Sequence, residues 1–317
     1  MSFESRAARA MVALLCMLPS AGLAAEAGRI MVFTSILPQE YFVERIGGDR
    51  VEVEALVRPG SSPATYEPTP RQMVVLSEAK IFFRIGVQFE NAFVPKLERA
   101  AEGLRIVDTR LGITLRMMKA HHHHDHDHDH HHDHDHDHHH HGGHEEADHQ
   151  HEGGADPHVW LSPRLVEIQA RTIADALIEL DPAGEAAYEE NLVAFLEDLD
   201  ALDRRLADAL APVRGKTFMV FHPAWGYFAD AYGLEQEPIE IEGKDPSGRQ
   251  IARMIEMAEE EGVRVIFVQP QFSQESAKSI AEAIGGAVLP IDPLARDYVG
   301  NLERVAAAVR EALQKQD

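Results

Sequence analysis

The sequence is poor in cysteine and in basic residues. It contains one cysteine, Cys16, and 30 lysines and arginines against 53 aspartates and glutamates, which gives a net charge of −23. A single cysteine excludes a disulfide framework. Nucleic-acid binding needs a basic surface, which this acidic chain does not offer, so we expect no nucleic-acid partner. No stretch of about 20 residues beyond the N-terminus is apolar enough to span a bilayer.

Residues 1–24 are predicted to be a secretory signal peptide. Two arginines precede a short apolar run, and small residues follow it up to Ala24, where we expect cleavage. A buried N-terminal helix is the alternative. Cys16 follows Leu15, whereas a lipid-modified cysteine normally follows Gly, Ala or Ser, so we expect no lipid anchor. The sequence therefore predicts a soluble, exported protein of the periplasm.

Histidine is almost confined to one segment, 121–151, which holds 18 of the 20 histidines together with seven aspartates and two glutamates. The segment has no lysine or arginine and only one conventional apolar residue, so it is predicted to be a mobile insertion that captures metal. An expression tag is the alternative, but tags are terminal and uniform. The 18 histidines are His121, His122, His123, His124, His126, His128, His130, His131, His132, His134, His136, His138, His139, His140, His141, His144, His149 and His151.

The 317 residues suffice for about two domains, and short β-branched runs alternate with helical patterns from residue 29 onward. This pattern predicts an α/β fold with two similar lobes of parallel sheet flanked by helices. Strands are predicted near 29–34, 51–57, 80–85, 104–108, 217–221, 237–241, 263–268 and 286–291. Helices are predicted near 39–47, 70–78, 89–101, 224–232, 247–260, 274–284 and 297–314.

One long amphipathic helix is predicted between the lobes, because leucines recur there at three- and four-residue steps. The alternatives are a helix of one lobe alone and a coiled-coil partner. The predicted boundaries are 28–182 for the N-terminal lobe with its 121–151 loop, 183–212 for the linking helix, and 213–317 for the C-terminal lobe.

Polar residues followed by proline end three predicted strands of the second lobe: His222, Gln269 and Asp292. Carboxyl ends of parallel strands share one sheet edge, so these side chains converge there. The first lobe has one further histidine, His158, in a turn-rich segment, and we expect His158, His222 and Asp292 to meet in the cleft between the lobes. Two imidazoles and a carboxylate are a zinc-type ligand set. A structural role for each histidine and a turn role for Asp292 are the alternatives.

Four motifs carry a resemblance to a known family. They are DPHVWLSP at 156–163, FHPAWGYF at 221–228, QPQF at 269–272 and IDPL at 291–294. Together with the histidine-rich loop they resemble the periplasmic zinc-binding members of the solute-binding proteins of metal ABC importers, the zinc/manganese-type group called cluster A-I. The similarity runs from about residue 29 to the C-terminus.

The resemblance implies two lobes joined by a long rigid helix, with one zinc ion bound between them. It implies His158 as the ligand from the first lobe, and His222 and Asp292 as those from the second. Manganese-type relatives tend to have Glu where His222 stands, which favours zinc. The implied partners are a membrane permease and its ATPase, and we expect a monomer.

One departure from the family pattern concerns the loop 60–68, which reads GSSPATYEP. Family members usually have a further histidine ligand where Ala64 stands. A water molecule, Glu67 or a histidine of the 121–151 loop would then complete the site, although Glu67 is also an ordinary turn carboxylate. Tyr66 and Trp225 are expected to pack the cleft rather than bind metal.

Two other functions compete with the receptor. Three protein ligands and an open position are typical of catalytic zinc, so a zinc hydrolase with a His-His-Asp site is one alternative. Glu67 and Glu240 are its only weak candidates for a general base and no nucleophile motif is present, so we expect no enzyme. The other alternative is a zinc buffer or chaperone that works through the histidine-rich loop.

Overall fold

The computed structural model describes residues 29–101, 103–118, 154–240, 247–260, 262–272 and 274–315. The signal peptide predicted at 1–24 and the histidine-rich segment at 121–151 lie outside the described residues, so both remain predictions.

The first lobe is built on a four-stranded parallel sheet with strand order β2-β1-β3-β4. Its strands are β1 (Ile30–Thr34), β2 (Val51–Ala55), β3 (Ile81–Arg84) and β4 (Arg105–Asp108). Its helices are α1 (Leu37–Gly47), α2 (Pro70–Leu76), α3 (Gln88–Ala100) and α4 (Pro163–Leu180). A single long helix, α5 (Glu185–Leu210), follows this lobe.

The second lobe repeats this plan with a parallel sheet of order β6-β5-β7-β8. Its strands are β5 (Thr217–Val220), β6 (Glu235–Pro238), β7 (Val265–Val268) and β8 (Ala287–Pro290). Its helices are α6 (Gly226–Tyr232), α7 (Gly248–Glu260), α8 (Glu275–Ala283) and α9 (Tyr298–Gln314). The prediction of two parallel-sheet lobes is confirmed.

Helix α5 joins the lobes because it packs against α1 and α4 of the first lobe and against α9 of the second. Its 26 residues span about 39 Å at the usual rise per residue. One side of the helix is buried along its length, which excludes the alternative of a helix that serves one lobe alone. Its buried apolar residues are Tyr188, Phe195, Leu199, Leu202, Leu206 and Leu210. In the described part of the chain, no helix has the length and apolar character needed to cross a membrane.

One strand lies earlier than predicted: the strand expected near 237–241 is β6, Glu235–Pro238. Strand β6 is an edge strand that pairs with β5 alone, and its first three residues are exposed or half-buried, so they need no apolar side chains. Polar residues therefore form it, and the apolar Ile239, which drew the prediction downstream, is a buried residue just after it.

The two stems that flank residues 119–153 lie side by side. Met117 and Ala155 form an antiparallel bridge, and the N–H of Met118 donates to the carbonyl oxygen of Gly154 at 3.1 Å. The chain therefore leaves the first lobe and returns to it at adjacent points, directly before the segment that carries His158.

Candidate metal centre

His158 and His222 meet across the boundary between the lobes. Their Nε2 atoms are 3.4 Å apart and their ring centroids 5.2 Å apart. His158 immediately precedes a short 3-10 turn, Val159–Leu161, that leads into α4. His222 stands two residues beyond the end of β5. The structure thus brings together the only two histidines outside the histidine-rich segment.

Asp156 fixes the orientation of His158. Its Oδ1 accepts the backbone N–H of His158 at 3.0 Å and lies 2.7 Å from the Nδ1 of the same residue. Burial lowers the pKa of His158 and outweighs the upward effect of the Asp156 charge and hydrogen bond, so the neutral imidazole is favoured. A carboxylate accepts a proton at Nδ1, which leaves the lone pair on Nε2, the atom that faces His222.

His222 is held in the same way by Glu240, whose Oε1 lies 2.6 Å from Nδ1. The buried Gln269 clamps the His222 backbone, because it accepts from the N–H at 3.2 Å and donates to the carbonyl oxygen at 2.7 Å. The imidazole stacks on Phe272, with ring centroids 4.9 Å apart and planes inclined by 24°. Together, the contacts with Glu240, Gln269 and Phe272 orient the ring so that the Nε2 of His222 points towards His158.

The separation of the two Nε2 atoms, one from His158 and one from His222, suits a tetrahedral zinc ion. Two nitrogens that each lie about 2.0–2.1 Å from a tetrahedral metal are about 3.3–3.4 Å from one another. The measured separation is 3.4 Å. Metal-binding histidines commonly donate their other ring N–H to a carboxylate, which Asp156 and Glu240 provide here.

Asp292, the predicted third ligand, follows β8 in the loop 291–297. Its Oδ1 accepts from the backbone N–H of Leu294 at 2.9 Å and from Nε2 of Gln271 at 2.8 Å. Both donors bond Oδ1, so they fix the carboxylate without occupying Oδ2. Within the described ranges, no three His, Cys, Asp or Glu side chains converge to hold a metal ion. The structure therefore pairs His158 with His222 but does not add Asp292 or Glu67 to them.

A cavity of about 210 Å³ lies between the lobes beside Asp292. Its lining includes Arg58 and Gly60 from the first lobe and Gln271, Asp292 and Arg296 from the second. The loop 60–68 and the loop 291–297 thus border one interlobe space, which the two imidazoles do not line.

The side chains of the loop 60–68 differ in exposure and in their contacts. Glu67 is exposed and Ala64 is half-buried. The hydroxyl of Tyr66 donates to Gln72 at 2.8 Å, and its ring packs on Phe89 with centroids 5.6 Å apart. Trp225, which is fully buried, packs on Phe228 with centroids 5.6 Å apart.

Sequence reasoning missed the roles of three residues around the imidazoles. Asp156 stands two residues before His158 in the same motif, a spacing that allows it to bond both the backbone and the ring. The sequence marks Gln269 as a polar residue at a strand end, but nothing in it indicates that Gln269 bonds the backbone of His222. From the sequence, Glu240 is a candidate for a general base only, whereas in the structure its carboxylate contacts Nδ1 of His222.

Comparisons with known proteins point to one family. Residues 32–312 match the family described as zinc-uptake complex component A, periplasmic. A crystal structure of a ZnuA protein superposes with a TM-score of 0.77, is 40% identical, and is matched over 90% of this chain and 100% of that one.

Two curated relatives carry zinc in their names. The zinc-binding lipoprotein AdcA of Streptococcus pneumoniae serotype 4 is 25% identical over 301 residues, which are 91% of this chain and 57% of that protein. The chain thus spans little more than half of that relative. The high-affinity zinc uptake system protein ZnuA of Bacillus subtilis is 28% identical over 271 residues, 81% of this chain and 76% of that protein. The chain belongs to the periplasmic zinc-uptake complex component A family, whose members are metal-binding solute receptors and not enzymes.

Proposed function

We propose that this protein is an exported receptor that binds one zinc ion between its two lobes and delivers it to an ABC-type metal importer. The observation that carries the proposal is the separation of 3.4 Å between the Nε2 atoms of His158 and His222. Where the Nε2 lone pairs of two imidazoles face each other they repel, and a cation placed between them removes that repulsion.

Asp292 is the proposed third ligand. A hard carboxylate beside two imidazoles suits zinc better than calcium or magnesium, which prefer sites made of oxygen alone. Support comes from the loop 291–297, which contacts the segment of His158 directly: Nε1–H of Trp160 donates to the carbonyl oxygen of Pro293 at 2.7 Å. A water molecule, Glu67 or a histidine of 121–151 completes the coordination.

The remaining parts of the proposal concern export and partners. Residues 1–24 act as the signal peptide and place the protein in the periplasm. The lobes 28–182 and 213–317, joined by 183–212, present the loaded cleft to a membrane permease with its ATPase, and the receptor works as a monomer. The family name, a component of a zinc-uptake complex, supports this assignment.

Zinc titration by calorimetry on three proteins that begin at Ala25 tests the proposal. They are the intact chain, a chain without 121–151, and a chain with His158→Ala and His222→Ala together. We expect the chain without 121–151 to retain one tight site, and the double variant to lose that site while it keeps weaker binding to its histidine-rich segment.

The opposite result supports the buffer or chaperone. If deletion of 121–151 removes all tight binding while the double variant keeps it, the histidine-rich segment is the binder and the cleft is not the receptor site. Thermal unfolding of each metal-free protein shows whether a lost site reflects lost folding.

A further inference from the structure

The loop 291–297 belongs to the second lobe by sequence but is bound to the first lobe by two side chains. Trp160 donates its Nε1–H to the carbonyl oxygen of Pro293 at 2.7 Å. Arg296 donates to Glu40 Oε1 at 2.7 Å and to both carboxylate oxygens of Glu44, at 2.6 and 2.5 Å. Both glutamates lie on α1, so the loop is attached to the first lobe near each of its ends.

Trp160 also contacts the first imidazole. It lies two residues after His158, its ring centroid is 5.1 Å from that of His158, and only 1% of its surface is exposed. One buried side chain therefore touches His158 and bonds the loop that carries Asp292. A buried N–H that lost this acceptor would be left unpaired, which makes the geometry costly to change.

Asp292 is fixed both to its own loop and to the rest of the second lobe. The hydrogen bond from Leu294, within the same loop, and that from Gln271 hold its carboxylate in one orientation. Nδ2 of Asn301, on α9, donates to the backbone carbonyl oxygen of Asp292 at 2.7 Å, so the residue is fixed within the second lobe. Its position relative to His158 therefore depends on how the loop 291–297 is attached to the first lobe.

We propose that Trp160 and Arg296 are positioning residues that hold the loop of Asp292 against the first lobe and so set where Asp292 lies relative to the histidine pair. This inference rests on the proposed function, because it assigns to these residues the assembly of the same zinc site. Neither side chain touches the ion. Each acts through the loop, and each preorganises a ligand that would otherwise have to be ordered when zinc binds.

The chain has two tryptophans, which provide a matched pair of variants. Trp160→Phe removes the hydrogen bond to Pro293 and keeps an aromatic ring. Trp225→Phe makes the same exchange at a residue that is equally buried, and whose Nε1 has no hydrogen-bond acceptor among the described residues. We expect Trp160→Phe to weaken zinc binding about tenfold, mainly through faster dissociation, and Trp225→Phe to weaken it much less.

A double-mutant cycle with Asp292→Ala separates positioning from general packing. If Trp160 acts through Asp292, Trp160→Phe adds almost nothing to the loss that Asp292→Ala already causes. Losses that multiply in the double variant would overturn the proposal, as would a Trp160→Phe protein that binds zinc as tightly as the unaltered chain.

Arg296→Gln tests the attachment of the loop to Glu40 and Glu44. It also provides the test of the proposal if Trp160→Phe does not fold. Its control is Arg205→Gln, since Arg205 pairs with Glu303 at 2.6 Å and its side chain is 50% exposed against 52% for Arg296. We expect about threefold weaker zinc binding for Arg296→Gln and no change for Arg205→Gln. Equal zinc binding by the two variants would overturn the role of Arg296.

Hydrogen exchange of the metal-free proteins gives a readout that does not depend on zinc. Amides of the loop 291–297 should exchange faster in Trp160→Phe and Arg296→Gln than in the two controls. If the unaltered chain lacks a tight zinc site, the proposed function fails, while faster exchange still shows that these residues hold the loop. Unchanged exchange in both variants overturns the positioning role itself.

Discussion

Glu240 and His222 form a short contact in which the carboxylate Oε1 lies 2.6 Å from Nδ1, while the Nε2 of the same imidazole faces His158. The two ring nitrogens of His222 therefore have different partners, Glu240 at Nδ1 and His158 at Nε2. In the tautomer that donates from Nδ1 to the buried carboxylate, Nε2 keeps the lone pair that a metal requires.

Replacement of Glu240 should therefore weaken zinc binding although Glu240 is not a proposed ligand. We expect about tenfold weaker binding for Glu240→Gln and up to about a hundredfold for Glu240→Ala, because the imidazole loses the acceptor that fixes its tautomer and orientation. Competition with a chromophoric chelator at neutral pH measures the change. Glu235→Gln, at an exposed position on the edge strand β6, is the control and should bind zinc normally. Normal affinity in both Glu240 variants would contradict the assigned role.

Ala64→His should strengthen zinc binding by about tenfold or more. The family resemblance places a histidine ligand at this position, and Gly60, at the start of the same loop, lines the interlobe cavity beside Asp292. An additional nitrogen ligand completes a tetrahedral set and should increase the preference for zinc over manganese. Calorimetry with each metal tests both effects. Thr65→His places the same side chain at the adjacent, exposed position, so an equal gain in the two variants would show that Ala64 does not face the site.

Acid stability should depend on Asp108, at the end of β4. Burial raises the pKa of this carboxyl, but the hydrogen bonds and charge of Arg110, with the charge of Arg84, outweigh burial and lower the pKa overall. A carboxyl with a lowered pKa in the folded state stabilises the fold above its unfolded pKa of about 3.9, and this contribution is lost as the pH falls through the folded value.

Asp108→Asn should consequently reduce the free energy of unfolding most at neutral pH, and the difference from the unaltered chain should shrink below about pH 4. Urea denaturation at several pH values measures it. Asp208→Asn, at an exposed position on α5, corrects for the loss of one negative charge. A difference that stays constant from neutral to acidic pH would contradict the assignment.

The sequence predicts the fold well because its strands are short, apolar and separated by helical patterns. In the part of the chain that the structure describes, seven of the eight strands lie within their predicted ranges, and β6 is displaced because this exposed edge strand carries little apolar signal. The sequence also identifies His158 and His222, since they are the only histidines outside 121–151 and each adjoins a proline.

The surroundings of the imidazoles could not be predicted in the same way. Trp160 and Pro293 are separated by 133 residues, and no local pattern reports a hydrogen bond between them. Glu240 becomes the partner of His222 only because β6 lies beside β5 in the sheet. Such contacts follow from how the two lobes pack, which periodicity and motif spacing do not encode.

The antiparallel bridge between Met117 and Ala155 fixes the two points at which the intervening segment joins the first lobe. Because the two stems are paired with each other, these points of attachment do not depend on the length of the segment between them. The entropy cost of closing such a loop rises only slowly with its length, by about 0.6 kcal/mol for each doubling. Segments that differ in length or in histidine content should therefore be exchangeable between these anchors at little cost to the stability of the lobe.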